Sequence, residues 1–372
     1  MNVVDYFIEL VRIDSESRSE GAIAQKIAAD VSSFGWKCEF DNASKYTGGD
    51  SGNLYIFIPG VVNKPPLMFS AHMDTVKPGK GVKPTIIDGY IRTDGTTILG
   101  ADDKSGIAEI LAAVYHLQEE KIPHVPLEIV FTVCEEIGLL GAKHVVLDRL
   151  KARMGFALDY HKVGTFLMGA PSQNTIEMVI TGKEAHAGLE PEKGVSAIVV
   201  ASHAISRLNL GRIDDETTCN IGIIKGGSAT NIIPNEVYLK GEVRSHNPET
   251  LEEVTDNIVN TVRETVESHT VGDFTASVKI TIKREYDSYR LPDEDPLCSL
   301  AAKSAQAIGE SGNLGICGGG SDANYFNKIG IKTIVAGSGM NKVHTVDEEI
   351  LVSELKDGQR WIEEVIRLYS NE

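Results

Sequence analysis

Apolar residues along this chain switch between two spacings, and the switches mark its elements. Helical spacing runs from Val4 to Leu10 and from Glu20 to Phe34, and strands are predicted in CEFDNAS, GNLYIFIPG and, after a proline break, PPLMFSAHMDTV. The stretch GADDKSGIAEILAAVYHLQEE reads as a loop followed by a helix with Ile107, Ile110, Leu111 and Val114 on one face. LEIVFTVCEE and MGFALDY are near-continuous apolar runs, as strands buried on both faces require. Strands alternating with helices predict an α/β sheet flanked by helices.

The pattern changes near residue 171. SQNTIEMVITGK alternates as a strand, VSAIVVASHAISRLNL reads as a helix, and TTCNIGIIKGG and EVYLKGEVRSHN read as two strands. PETLEEVTDNIVNTVRETVESH opens with a proline suited to a first helical turn, and ASVKITIKREYDSY alternates again. The order β-α-β-β-α-β predicts a ferredoxin-like unit. PLCSLAAKSAQAIG then resumes as a helix and IKTIVAG as a buried strand. The expected architecture is an α/β domain of residues 1–170 and 287–372, interrupted by an inserted α+β domain of residues 171–286.

At 372 residues the chain can bury a large core without disulfides or metal to hold it. Acids outnumber bases 53 to 36, giving a net charge of −17, so nucleic acid and anionic membrane surfaces are not expected partners. The five cysteines form no C-x-x-C pair, which argues against a disulfide framework and a thiolate zinc site. The N-terminus carries acids among its apolar residues, unlike a signal peptide, and no apolar run reaches the ~18 residues of a membrane span. A cytoplasmic location is expected.

Candidate chemistry gathers at strand ends, where open α/β sheets place their sites. In SAHMDTV, His72 and Asp74 face the same way, so Asp74 is positioned to fix the tautomer of His72. Asp102 and Asp103 stand in GADDKSG before a helix, where acids also suit the helix dipole. Glu135 and Glu136 end a buried strand and point to opposite sides, one free to bind a cation and the other to take a proton. Asp159 ends MGFALDY, and His344 lies in NKVHT beyond the strand IKTIVAG. Each alone is more often structural. Together, His72, Asp102, Glu136, Asp159 and His344 suit a pair of zinc-like ions better than calcium or magnesium.

In this order SAHMDTV, GADDKSG, CEEIGLLGA, ALDY and NKVHT resemble the two-zinc exopeptidases, the family of peptidase T, carboxypeptidase G and aminoacylase. GGGSDAN (318–324) and the overall length bring the chain nearest to its peptidase T-like members. The resemblance covers essentially the whole chain. It implies a zinc-exopeptidase-like mixed-sheet catalytic domain and makes the insert a lid through which the protein forms a homodimer. It implies two Zn²⁺ per subunit, with cobalt or manganese as alternatives. One ion falls to His72 and Asp159 and the other to Glu136 and His344, with Asp102 bridging and an unusual peptide bond before Asp103 aiming the bridge. Glu135 is then the general base and Asp74 orients His72. In the lid, His186 of EAHAG would reach the substrate carbonyl. Asn231 and Arg244 would hold the substrate, Arg244 by its carboxylate. Ser321 and Asp322 would lie near the substrate. The implied activity is hydrolysis of short peptides by metal-activated water. An amidase acting on N-acyl amino acids and a non-catalytic relative remain open, and so does whether His186 serves its own subunit or the neighbour.

Overall fold

The computed structural model of the protein describes residues 1–371, and the chain divides into two compact units. The first comprises Met1–Gly169, Arg290–Cys317 and the chain from Ser321 onward; the second comprises Ala170–Tyr289 with Gly318–Gly320.

An eight-stranded sheet organises the first unit, in the order Lys37–Phe40, Leu54–Ile58, Leu127–Thr132, Leu67–His72, Met154–Tyr160, Lys332–Gly337, Thr165–Leu167, Asn313–Gly315. The four central strands run parallel. They are the apolar runs of the sequence, and every residue of Leu67–His72 and Leu127–Thr132 is buried. Helices cover the sheet. Ala101–Glu119 packs against Leu67–His72 and against the C-terminal helix Val352–Asn371, whose amphipathic spacing places Trp361 in the core. The Trp361 ring meets Phe156 and Phe166 at centroid distances of 5.1 Å each, and its indole N–H donates to Ser304 Oγ at 2.8 Å. A buried indole keeps a hydrogen-bond partner because an unpaired N–H in the interior is costly.

Local readings shift in two places in the first unit, and in the second a strand at Gly211–Asp214 adds to the two expected between its helices. CEFDNAS is a strand only through Phe40. Asp41 then turns the chain, its carboxylate accepting from the backbone N–H of Ala43 and Asn53, and Ser44–Thr47 forms a short helical turn. GADDKSG is not a loop preceding a helix but the distorted first turn of Ala101–Glu119, with Asp102 and Asp103 outside helical backbone angles.

The second unit is a five-stranded antiparallel sheet in the order Gly211–Asp214, Thr217–Gly226, Glu236–Ser245, Ser172–Thr181, Ser277–Tyr286. Two helices, Ala197–Arg207 and Pro248–Glu267, pack on it through a core that includes Met178, Val200, Leu239, Leu251 and Val262. Helix Pro248–Glu267 starts where Asn247 accepts from the N–H groups of Glu249 and Thr250. Among the described residues, no helix is long and apolar enough to cross a membrane.

Candidate metal centre

Parallel strands end on the same side of their sheet, so residues distant in sequence share one basin there. His72 closes its strand in register with Thr132, and Glu135 and Glu136 follow just beyond. Asp159 falls at a bulge: Ala336 pairs with Leu158 and Gly337 with Tyr160, leaving Asp159 without a register partner. Such a bulge re-aims a side chain. His344 comes from the loop beyond Lys332–Gly337, at a φ of 61°.

Asp102 arrives on the distorted helix start. Gly100 turns the chain at φ 78°, and the Asp102–Asp103 peptide bond is cis. A Cβ on Gly106 would lie 2.6 Å from Asp103 Oδ1 and 2.8 Å from the Leu158 backbone oxygen, so only glycine lets the helix approach this strand.

The Asp102 carboxylate is shared between two imidazoles. Its Oδ1 is 2.9 Å from His72 Nε2, and its Oδ2 is 3.2 Å from His344 Nε2. His344 Nε2 is also 3.0 Å from Glu136 Oε2, and His72 Nε2 is 4.0 Å from Asp159 Oδ1. Ligand atoms of His72, Asp102 and Glu136 all lie within 4.8 Å of one another. The second nitrogen of His72 lies 2.9 Å from the backbone oxygen of Asp74 and 3.5 Å from its carboxylate. That carboxylate accepts from the N–H of Glu135 at 2.8 Å, the N–H of Glu136 at 3.2 Å and the Ser17 hydroxyl at 2.7 Å.

Electrostatics follow from this crowding. Burial pushes the carboxyls of Asp103, Glu135 and Asp159 well above their usual range. Asp322 is pushed up to about 6, again mainly by burial, against the opposing hydrogen bond from Thr132. Burial acts the same way on Asp102, but hydrogen bonds from His344 and His72 outweigh it and hold that carboxyl below its usual range. His344 is pushed up to about 10 by its contacts with Asp102 and Glu136. Buried acids therefore exceed the two imidazoles that face them. Clustered buried carboxylates of one sign are costly unless cations neutralise them. Divalent cations would meet that need, and two imidazoles with several carboxylates are a donor set of the chemistry that holds them.

The structure thus brings His72, Asp74, Asp102, Glu135, Glu136, Asp159 and His344 together in the first unit. His186, Asn231 and Arg244 belong to the second. There His186 is exposed, its Nδ1 accepting from the Gly188 N–H at 3.1 Å, and the Asn231 backbone oxygen accepts from the Ala187 N–H at 3.0 Å. Arg244 pairs with the Glu242 carboxylate, Nε to Oε1 at 3.0 Å and Nη2 to Oε2 at 3.2 Å.

Three neighbours escape the sequence reading. Ser17 supports Asp74. Glu20 Oε1 accepts from the Cys134 N–H at 2.9 Å, and burial, with this acid beside it, pushes the thiol up. Glu348 anchors the segment that carries Asp102. A serine in a polar run and a glutamate in TVDEE look like ordinary surface residues, so only their contacts reveal them.

Fold and site together define an α/β protein whose strand ends gather imidazoles and carboxylates into a pocket suited to divalent cations. The chain belongs to peptidase family M20/M25/M40, whose family description matches residues 68–368. It is 38% identical to a tripeptidase from Staphylococcus aureus, whose crystal structure superposes with a TM-score of 0.95 over 100% of this chain and 98% of that one. Aminopeptidase PepT from Bacillus cereus is 39% identical, with a TM-score of 0.90 over 98% of this chain and 97% of that one. YqjE of Bacillus subtilis, an uncharacterised protein, is 41% identical over 95% of this chain and 94% of its own length. The protein is a peptidase T-like peptidase of this family.

Proposed function

We propose that the protein is a two-metal exopeptidase that hydrolyses short peptides, tripeptides foremost. The observation that carries this reading is the single Asp102 carboxylate set between two imidazoles, one oxygen toward each, amid further buried acids. His72 and Asp159 would hold one cation, Glu136 and His344 the other, and Asp102 would serve both; two zinc ions are proposed, with cobalt or manganese as substitutes.

When bound, such ions supply Lewis acidity toward a carbonyl oxygen and lower the pKa of water. Glu135 provides the proton transfer. Its carboxyl takes a proton from the attacking water as the water oxygen bonds to the peptide carbonyl carbon, and returns it to the amine nitrogen as the C–N bond breaks. Burial supports the role by lifting its affinity for a proton well above that of an exposed glutamate. Asp74 keeps this base in place through the backbone N–H groups of Glu135 and Glu136.

The second unit acts in this reading as a ferredoxin-like lid and as the surface of a homodimer. From it His186 stabilises the developing oxyanion, Asn231 holds the peptide, and Arg244 takes the terminal carboxylate, exchanging it for Glu242. That two relatives are named a tripeptidase and an aminopeptidase supports, for this chain, short free peptides as substrates rather than N-acyl amino acids. A cytoplasmic location is proposed with them.

The test is a peptide panel on protein dialysed against a chelator and then reloaded with zinc, cobalt or manganese. Cleavage of free tripeptides only after reloading is expected. Equal cleavage by the dialysed protein would refute the metal-dependent reading. A preference for N-acetyl amino acids would replace the peptidase with an amidase.

A further inference from the structure

The loop that carries His344 and the turn that carries Asp102 are far apart in sequence, and one side chain ties them together. Glu348 follows His344 by four residues, and its N–H returns to the Thr345 backbone oxygen at 3.2 Å, closing the turn between them. Glu348 is 1% exposed. Oε2 accepts from the N–H groups of Leu99 and Gly100, at 2.7 Å each, and Oε1 from the N–H of Asp102 itself at 3.0 Å. These N–H groups lie where the helix Ala101–Glu119 begins, and its cap residue, Gly100, has no side chain to satisfy them. Glu348 is therefore a cap supplied from the other end of the chain. The anchor continues into the next residue, where Glu349 pairs with Arg92 at 2.6 Å and with Lys342 at 2.8 Å.

Lys342 and His344 both sit at positive φ, 54° and 61°. Non-glycine residues hold that conformation only where their surroundings impose it. The turn closure and the Glu348 clamp are such surroundings. A shift of the loop by one hydrogen-bond length would move His344 Nε2 off Asp102 Oδ2 and Glu136 Oε2 together, because one nitrogen serves both contacts.

We infer that Glu348 is a positioning residue that locks the Asp102 turn to the His344 loop. Asp102 would serve both cations, but only the one assigned to Glu136 and His344 has a second ligand on the clamped loop, so that cation depends on Glu348 more than the one assigned to His72 and Asp159. The inference rests on the two-cation reading above. Glu348 touches neither substrate nor cation in this scheme and acts only through Asp102 and His344. Outer groups of this kind tune metal affinity by about 10- to 100-fold.

The experiment titrates metal-free protein with zinc by calorimetry, comparing wild type with E348A and E348Q and recording kcat, KM and amide hydrogen exchange. Wild type is expected to take two ions per chain. E348A is expected to keep one site within about threefold of wild type and to weaken the other about 10- to 100-fold. kcat should fall more than KM rises. E348Q retains the packing but sets an amide N–H₂ against at least one backbone N–H. It should weaken the same site, and the Leu99, Gly100 and Asp102 amides should exchange faster, so the inference stays testable if E348A does not fold. Two ions in wild type with unchanged affinities and amide protection in E348Q would overturn the clamp alone. Fewer than two ions in wild type would overturn the two-cation reading, and this inference with it.

Discussion

Replacing Asp74 by asparagine tests how the acid pair is held. The side chain is fully buried, and its two oxygens receive three donors: Glu135 N–H on one, Glu136 N–H and the Ser17 hydroxyl on the other. Asparagine keeps the shape and one oxygen. Either way it faces, its N–H₂ opposes a backbone N–H at a distance where no water can enter. Leaving a buried donor unsatisfied costs about 1–3 kcal/mol, and the remaining bonds lose their charge assistance, so a destabilisation of about 2–4 kcal/mol is expected. The same change loosens the backbone of Glu135, and a misplaced base lowers kcat about 100-fold with little change in KM. Urea unfolding of the metal-free protein gives the first quantity and steady-state hydrolysis of a tripeptide the second. S17A, which removes one donor and leaves the carboxylate intact, should cost about 1 kcal/mol or less. If D74N unfolds within about 0.5 kcal/mol of wild type and keeps kcat within about twofold, the carboxylate does not hold the turn and the reasoning fails.

Other outcomes follow from single features. E135Q should retain metal and fold while kcat falls about 10²- to 10⁴-fold, and full activity in this variant would remove Glu135 as the base. Gly358 lies within the helix Val352–Asn371, where a Cβ would come 2.2 Å from Glu109 Cδ. G358A should therefore cost about 1–3 kcal/mol through overpacking, yet stabilise an E109A background by about 1 kcal/mol through helix propensity; additive effects in urea unfolding would refute the contact. Glu109 is fully buried, both its carboxyl oxygens lack partners, and burial raises its pKa well above the ordinary value. Above the unfolded-state pKa of about 4.3 the unfolded chain releases this proton while the folded chain retains it, so its contribution makes stability fall as pH rises. The stability of E109Q relative to wild type should then grow from pH 5 to pH 8, and a flat difference would show that Glu109 ionises normally.

Much of the α/β fold is legible in the chain because its signals are local. The runs at 67–72, 127–132, 154–160 and 332–337 have too few polar residues to face water, and acids and imidazoles stand at or just beyond their ends. The C-terminal helix Val352–Asn371 and two short strands, Thr165–Leu167 inside the sheet and Asn313–Gly315 at its edge, are not read from the chain. These strands are too short to establish a period, and their neighbours in the sheet supply what their own sequence does not. The turn at 44–47 arises from the Asp41 carboxylate capturing two N–H groups, one of them from Asn53, a partner no sequence window around the turn reveals.

The sequence by itself determined which residues carry metal-type and acid–base chemistry, because donor atoms and the apolar strands before them are intrinsic to the chain. The tertiary structure alone decided their mutual geometry. A bulge opposite Ala336 and Gly337 sets Asp159, and a helix start held from the far end of the chain by Glu348 sets Asp102. A backbone carbonyl rather than a carboxylate makes the short contact to the second nitrogen of His72. Hydrogen bonds and burial depend on distances between segments hundreds of residues apart, and those distances exist only once the core has closed around them.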